Sequence, residues 1–443
     1  MAAKYNRSNC EYLASDFGFD KNFLENSIQH ENVKFDIKGS GLFNVKTDPS
    51  VANFLNTLFI KAAEKHISDI HFSSQPDGVH LIFRNGNGSL DEIMVIKPEN
   101  ALAIENMIRT QCNINVSDRE SLMDGGFMMI EPKEQKVISV RVSIAPTQFG
   151  TKIVCRILRQ DEKFNLGNLY MAEDVKEVFY KTLKEEKGLI LISGPTGSGK
   201  STTLFCALSH RNDGTVNICT AEDPIEYMIK GANQVQVHHR YRPFAKVLRS
   251  FLRQDPNIIM VGELRDNETA AVTMQAANTG HLVFGTIHTN SAAAIISRLL
   301  YMGVDRFVTA DALLAFTAQR LVPKLCEHCR RPKSIPSSRT LPTRFPSDTY
   351  YEANRQGCSH CNKGVKGKIP VMEFALNTQA IKNVIASGRT QDIQQTLYKQ
   401  PQYRSLVEEA LRMSQEGLVD FHDALSVETD FDELSQQTNA AEE

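Results

Sequence analysis

Residues 188–210 read GLILISGPTGSGKSTTLFCALSH, and they are the strongest indication of the fold class in the chain. Its first six residues, 188–193, form a short apolar run that fits a buried parallel strand. Residues 194–201 follow the pattern G-x-x-x-x-G-K-[ST], and residues 202–210 predict a helix. Glycines in such a loop let backbone N–H groups surround phosphate oxygens, and the helix N-terminus adds its positive dipole. The complete motif between a strand and a helix predicts a phosphate-binding loop rather than a chance glycine-rich turn.

The side chains of this loop have separate expected roles. Lys200 is expected to reach the β- and γ-phosphates of a bound nucleotide, and Ser201 is expected to ligate Mg²⁺. The full set of candidate nucleotide-binding residues is Gly194, Pro195, Thr196, Gly197, Ser198, Gly199, Lys200, Ser201 and Thr202. A loop of this kind does not by itself distinguish a motor from a kinase or a GTPase.

Three later apolar runs resemble 188–193: VNICTA (216–221), NIIMV (257–261) and HLVFGTI (281–287). Helical stretches separate them, such as TAAVTMQAA (269–277), which ends before Gly280. Short apolar strands that alternate with helices are typical of βαβ units. The sequence therefore predicts an α/β fold with a parallel sheet.

Polar residues follow these predicted strands, where ligands bind in open α/β sheets. Glu263 is placed to orient and deprotonate an attacking water, and a solvated strand-end glutamate is the alternative. Glu222, with Asp223 and Glu226, could hold Mg²⁺ through water or position the nucleophile, but a structural cap or an ion pair would explain each of them nearly as well. His288 ends the last of these strands and is a candidate sensor of the γ-phosphate.

Four of the nine cysteines form two CxxC pairs, Cys326 with Cys329 and Cys358 with Cys361. Four thiolates at this spacing suit a tetrahedral Zn²⁺, and the ion would be structural because no ligand position would remain open. Reduced free thiols or a redox pair are the alternatives. The other five cysteines are scattered, and a chain this long needs no disulfides for stability.

The charge of the chain is nearly balanced, with 50 basic and 52 acidic residues among 443. Domains that coat nucleic acid are usually strongly basic, so this balance argues against such a function. The sequence contains no run of the ~18 apolar residues that a membrane span needs, and its N-terminus lacks the apolar run of a secretory signal. We therefore expect a cytoplasmic protein that associates with a membrane only peripherally.

Changes of composition along the chain predict seven segments. The expected bounds are an N-terminal extension (1–47), a small α+β domain (48–160), a linker (161–172), an α/β core (173–322), a tetracysteine subdomain (323–370), a mainly helical region (371–427) and an acidic tail (428–443).

Six motifs occur together in the chain. The core contains GPTGSGKS (194–201), AEDPIEY (221–227), LRQDPNIIMVGELRD (252–266) and TGHLVFGTIHTN (279–290), and the preceding domain contains SDIHF (68–72) and RVSIAPTQFGTKIVCRIL (141–158). Together they resemble the motifs of the hexameric ATPases of type II secretion and type IV pilus assembly. The resemblance extends from about residue 50 to 427.

This resemblance implies a RecA-like P-loop core and a PAS-like N-terminal domain joined by a mobile linker. It implies a ring of six subunits that hydrolyses Mg-ATP to power the assembly of type IV pili or type II secretion pseudopili through an inner-membrane platform protein. Glu263 would be the general base, Glu222 would organise water or metal, and Arg141 and Arg156 would contact ATP bound to a core. Arg84 is a weaker candidate, because RNGNG follows where the family usually has an Asp-Gly turn.

Two other functions stay open. A pilus-retraction ATPase belongs to the same superfamily, but a tetracysteine insertion is typical of the assembly and secretion members. A RecA-like nucleic-acid motor could use the basic stretch 238–254, but the balanced charge and the lack of an aromatic stacking platform argue against nucleic acid as a partner. The motifs do not distinguish a pilus from a type II secretion system.

Overall fold

The computed structural model describes residues 49–84, 89–130, 137–159, 165–237, 241–335 and 340–427. The expected N-terminal extension and acidic tail lie outside the described residues. The described residues divide into two compact units, one made of those up to 159 together with 226–228 and the other of the rest. None of the described helices is long and apolar enough to cross a membrane.

The first unit is built on an antiparallel sheet. Its elements are α1 (Pro49–Glu64), β1 (Asp69–Gln75), β2 (Gly78–Arg84), β3 (Leu90–Ile96), α2 (Pro98–Gln111), β4 (Met123–Ile130), β5 (Val137–Thr147) and β6 (Gly150–Arg159). The described strands lie in the order β3-β2-β1-β6-β5-β4. Apolar residues of α1 that recur every three or four positions are fully buried in the same core as alternate residues of the strands, such as Phe54 and Leu58 with Ile70 and Phe83.

The second unit contains the phosphate-binding loop. Its elements up to the sheet's long strands are α3 (Glu173–Leu183), β7 (Gly188–Ser193), α4 (Lys200–Arg211), β8 (Ile218–Glu222), β9 (Asn233–Gln236), α5 (Phe244–Phe251), β10 (Ile258–Val261), α6 (Asn267–Asn278), β11 (Leu282–Ile287), α7 (Ala292–Tyr301) and α8 (Arg306–Ala312). The sheet has the order β15-β12-β7-β11-β10-β8-β9, and its neighbouring strands are parallel except for the pair β12 and β15. The predicted α/β class is confirmed.

The sequence does not predict two long strands, β12 (Leu313–Leu325) and β15 (Val365–Leu376). The domain bounds expected at 322/323 and 370/371 fall inside them, so the loop-like tetracysteine segment is shorter at both ends than expected. Proline explains the misplacement, because Pro323 and Pro370 resemble chain breaks in the sequence. In the structure, the register of β12 shifts after Pro323, and Pro370 lies on an edge strand, where a missing N–H is tolerated.

The remaining elements surround these two strands. A short hairpin lies within the tetracysteine segment, formed by β13 (Arg331–Ser334) and β14 (Thr349–Glu352). Among the described residues, four α-helices follow β15: α9 (Gln379–Ser387), α10 (Ile393–Leu397), α11 (Leu406–Gln415) and α12 (Phe421–Leu425). The region expected to be mainly helical is thus helical from residue 379 onward, after the end of β15.

Candidate nucleotide-binding site

Strand β7 places the phosphate-binding loop at the carboxyl edge of the sheet. Gly194, Gly197 and Gly199 have φ angles of +148°, +80° and +84°. A Cβ on Gly194 would lie 2.4 Å from the carbonyl oxygen of Gln319, and a Cβ on Gly199 would lie 2.9 Å from the Gln319 side-chain nitrogen. Both positions therefore require glycine for their conformation and for the space beside the loop.

Gln319 is the main side-chain support of this loop that the sequence does not predict. It lies on β12 with 1% of its surface exposed. Its Nε2 donates to the carbonyl oxygen of Ser198 (2.7 Å), and its Oε1 accepts from the hydroxyl of Thr203 (2.8 Å). One buried amide thus ties the loop to the first turns of α4. The only trace in the sequence is that Gln319 interrupts a largely apolar run, LLAFTAQRLV (313–322), which also contains Thr317 and Arg320.

We expect Gln319→Leu to weaken ATP binding about tenfold, because the loop loses the hydrogen bonds that fix its backbone before the nucleotide arrives. Titration with a fluorescent ATP analogue measures the change. Asn377→Leu is the matched control, since Asn377 is also a buried amide but donates to the backbone carbonyl oxygens of Ala310 (2.7 Å) and Leu313 (2.9 Å). Equal affinity in the Gln319 and Asn377 variants would contradict the supporting role.

Lys200 lies over the phosphate-binding loop. Its Nζ donates to the carbonyl oxygens of Gly194 (2.8 Å) and Pro195 (3.0 Å). Ser201 and Thr202 follow it in the first turn of α4, where backbone N–H groups have no partner within the helix. An ammonium and a helix N-terminus at one loop fit a nucleoside triphosphate, and Ser201 is the residue whose hydroxyl would hold the accompanying Mg²⁺.

The structure brings Glu263 and His288 together beside the loop. His288 Nε2 is 3.1 Å from Glu263 Oε1, and its Nδ1 is 3.0 Å from the carbonyl oxygen of Gly194. Both ring nitrogens thus face acceptors, one on Glu263 and one on the phosphate-binding loop. Arg265 contacts the other oxygen of Glu263 at 2.7 Å. The hydrogen bond to Glu263 and the nearby charges of Glu263 and Asp223 raise the pKa of Arg265.

The backbone on either side of Glu263 is fixed by neighbouring strands. The N–H of Gly262 donates to the carbonyl oxygen of Ala221 at the end of β8 (2.7 Å). The N–H of Leu264 donates to the carbonyl oxygen of Thr286 on β11 (2.8 Å). The Thr286 hydroxyl also donates to the carbonyl oxygen of Gly262. Glu263 is therefore held at a defined point of the sheet edge, with 18% of its side chain exposed.

Glu222 ends β8 and is largely buried. Its Oε1 accepts from the hydroxyl of Thr220 (2.5 Å) and from Nε2 of Gln234 on β9 (2.9 Å). These two partners orient the carboxylate and do not follow from the sequence pattern. Glu222 is thus locally hydrogen-bonded and lies at the carboxyl edge of the sheet, and its role toward water or Mg²⁺ stays a prediction.

The candidate arginines lie in the first unit, in one row across its sheet. Strand register places Arg84, Asp69, Arg156 and Arg141 on the neighbouring strands β2, β1, β6 and β5. Arg156 Nε donates to the buried Asp69 (2.8 Å), and Arg84 Nε is 3.9 Å from the same carboxylate. Burial opposes ionisation of Asp69, but hydrogen bonds from Arg156 and Ser68 hold its pKa below the usual value. Arg141 is exposed at the end of the row.

A cleft of about 670 Å³ adjoins the phosphate-binding loop. The first two loop residues and His288 form one wall, and residues of α7, including Arg298 and Tyr301, form another. The position of α7 therefore determines the shape of the site on the side of His288.

The four cysteines of the CxxC pairs converge in the second unit. Cys326 directly follows β12, and Cys361 precedes β15. The Sγ atoms of 326 and 358 are 3.7 Å apart, those of 329 and 361 are 3.6 Å apart, and all four lie within 4.8 Å of one another. Four sulfurs around a tetrahedral zinc with bonds of about 2.3 Å lie about 3.8 Å apart, so the cluster fits this ion.

The thiols of this cluster differ in acidity. Although burial opposes it, hydrogen bonds from the backbone N–H groups of Cys358 and Gly364 lower the pKa of Cys361 to about 7, whereas burial and the neighbouring cysteines raise the pKa of Cys329 to about 12. His328 and His360, which lie inside the two CxxC pairs, are exposed and stack on each other with ring centres 4.1 Å apart.

Comparison with known proteins places the chain in a family. A family model described as "Type II/IV secretion system protein" matches residues 44–426. The type IV pilus assembly ATPase PilB of Pseudomonas aeruginosa is 40% identical over 343 residues, which cover 76% of this chain and 60% of that protein. Type II secretion system protein E of Dickeya dadantii is 36% identical over 355 residues, which cover 79% of this chain and 70% of that protein. The chain thus spans 60% of the length of this PilB relative.

Solved structures share the fold. The pilus retraction motor PilT with bound ADP aligns with a TM-score of 0.62 at 24% identity, over 86% of this chain and 98% of that chain. The ATPase DotB of Legionella pneumophila aligns with a TM-score of 0.58 at 18% identity, over 84% of this chain and 94% of that chain. The family model and the relatives by sequence show that the chain belongs to the Type II/IV secretion system protein family.

Proposed function

We propose that this chain hydrolyses Mg-ATP as a motor that powers the assembly of type IV pili or type II secretion pseudopili. One observation carries the proposal: Glu263 contacts His288, and His288 also contacts the first carbonyl of the phosphate-binding loop. A carboxylate that can activate water and an imidazole that can contact the γ-phosphate thus lie beside a loop that fits a triphosphate. The names of the PilB and protein E relatives support the cellular role.

Each residue then has a defined task. The loop and the N-terminus of α4 bind the phosphates, with Lys200 turning from the carbonyls of Gly194 and Pro195 to the β- and γ-phosphates. Mg²⁺, held by Ser201, would neutralise phosphate charge. Glu263 orients the attacking water and accepts its proton. His288 registers the γ-phosphate, and its contact with Glu263 links that group to the base.

The active assembly is proposed to be a ring of six subunits at the cytoplasmic face of the inner membrane, acting on a platform protein. Arg141 and Arg156 would contact ATP bound to a core, as the family resemblance implies. The exposure of both arginines supports this role, since Arg141 is exposed and Arg156 has 60% of its side chain accessible. The buried Asp69 orients the Arg156 guanidinium. A cation that reaches the γ-phosphate can raise the rate about 10³–10⁵-fold.

A biochemical test separates this proposal from a nucleic-acid motor. The basic stretch 238–254 that a nucleic-acid motor could use is partly engaged within the chain, since Arg249 contacts Glu268 at 2.6 Å. We expect phosphate release from ATP without DNA, and no shift of labelled DNA in a gel at moderate salt. Tight DNA binding that falls steeply with salt would favour the nucleic-acid motor.

A cellular test separates assembly from retraction. Cells that lack this chain should lose surface filaments or the secretion of a substrate, and a Lys200→Ala copy should not restore them. Electron microscopy and assay of the culture medium measure the two outcomes. Excess filaments that no longer retract would instead identify a retraction motor.

A further inference from the structure

Glu373 is a buried carboxylate that has no part in the site described so far. It lies on β15, opposite Ala318 of β12, and 1% of its surface is exposed. Its Oε2 accepts a hydrogen bond from the backbone N–H of Ala292 (3.0 Å), and its Oε1 accepts one from the hydroxyl of Tyr403. An acidic group is costly to bury, so its retention here calls for a role beyond packing.

The bond to Ala292 acts on the segment that carries His288. Ala292 is the first residue of α7, and only residues 289–291 separate it from His288. The Ser291 side chain caps the same helix by accepting from the N–H of Ala294 (3.3 Å). A negative charge at this end also interacts favourably with the helix dipole. Glu373 therefore fixes the point where the His288 loop passes into α7, the helix that lines the cleft.

Tyr403 fixes the carboxylate in turn. Its side chain is fully buried, and its hydroxyl accepts from Nε2 of Gln394 on α10 (2.9 Å) while donating to Glu373. Burial, together with the charge of Glu373, strongly raises the pKa of Tyr403, so the hydroxyl stays a donor.

The segment around Tyr403 is anchored on both sides. Gln400 hydrogen-bonds to the backbone of Leu376 on β15 (2.8 and 3.1 Å). Arg404 donates to both carboxylate oxygens of Asp174 in the first turn of α3 (3.2 and 2.8 Å). Tyr403 is thus held between the strand that carries Glu373 and the first helix of the core.

We propose that Glu373 and Tyr403 are positioning residues for His288: they fix the N-terminus of α7 and thereby hold the His288 loop in the arrangement that distinguishes ATP from ADP. The inference rests on the proposed role of His288 as the sensor of the γ-phosphate. It also assigns a role to the C-terminal helical region, which supplies Tyr403 and Gln394.

The test compares two ligands, ADP and the non-hydrolysable analogue AMP-PNP. Tyr403→Phe, which removes only the hydroxyl, should raise the Kd of AMP-PNP about threefold to tenfold, the range expected for one hydrogen bond. The Kd of ADP should stay within about twofold, because the rest of the site is intact. Glu373→Gln keeps the shape of the side chain and removes its charge. It should likewise raise the ratio of the AMP-PNP Kd to the ADP Kd.

Two further variants give the experiment its controls. Tyr350→Phe removes another fully buried hydroxyl, which bonds to Ser347 and Gln415 instead, and should leave the AMP-PNP to ADP ratio unchanged. His288→Gln should itself lose the discrimination, and adding Tyr403→Phe to it should then have no further effect.

The outcomes separate the inference from the function it rests on. If His288→Gln loses discrimination while Tyr403→Phe and Glu373→Gln do not, the positioning role is wrong and the sensor role stands. A Tyr403→Phe effect that is equal for both ligands, or that persists in the His288→Gln background, would mark a purely structural role and overturn the inference. If His288→Gln discriminates normally, the sensor role fails and the inference fails with it.

Discussion

Glu263→Gln is expected to bind ATP about as tightly as the unsubstituted chain and to hydrolyse it about 10²–10⁴-fold more slowly. Glutamine has the shape of glutamate, and its amide oxygen can still accept a hydrogen bond from Arg265 or His288, which contact Glu263 at 2.7 and 3.1 Å. The amide cannot accept the proton of the attacking water. Hydrolysis should therefore slow, while the phosphate-binding loop still binds ATP.

Phosphate release and titration with a fluorescent nucleotide measure the two halves of this prediction separately. Glu173→Gln is the matched control, because Glu173 is a carboxylate with 88% of its side chain exposed on α3, and its turnover should stay normal. Lys200→Ala should show the opposite pattern, with nucleotide binding itself lost. Near-normal turnover in Glu263→Gln would exclude Glu263 as the base, and a loss of binding would give it a different role.

The second large effect concerns the cysteine cluster. Cys326→Ser should reduce bound zinc from about one ion per chain to a small fraction, because a structural zinc needs all four thiolates. The thermal midpoint should fall by about 5–15 °C. The physical reason is the position of the cluster, since Cys326 directly follows β12 and Cys361 precedes β15. An ion held there would join the ends of the paired strands that carry Gln319 and Glu373.

Metal analysis of the purified chain gives the first readout, and thermal unfolding gives the second. His360→Ala is the matched control, because His360 lies between two of the cysteines but is exposed and stacks on His328. It should keep its zinc and its thermal midpoint. Full zinc content in Cys326→Ser, or loss of zinc in His360→Ala, would contradict the four-cysteine site.

Much of the candidate site follows from short stretches of sequence. The phosphate-binding loop at 194–201 can be recognised because its strand, its glycines and its helix are contiguous in the sequence, so local geometry is enough to define it. The sequence also predicts that Glu263 and His288 lie at one edge of the sheet, because the carboxyl ends of parallel strands meet at that edge. The pairing of Cys326 and Cys329 with a second CxxC is likewise a matter of spacing.

The domain bounds show where this reasoning fails. In the sequence, Pro323 and Pro370 indicate the two ends of the tetracysteine segment. In the structure, β12 and β15 continue through both prolines. A register shift and an edge position remove the cost of each proline, and neither can be recognised without the partner strand.

The α/β class, the phosphate-binding loop, the acidic and histidine candidates and the two CxxC pairs all follow from the amino-acid order. The buried side chains that support them follow only from the folded chain: Gln319 contacts Thr203 across 116 residues, and Glu373 contacts Ala292 across 81. The physical reason is that periodicity and motifs report the local backbone and the buried face. The partner of a buried polar side chain depends instead on which strands become neighbours, and that order is set by packing over the whole sheet.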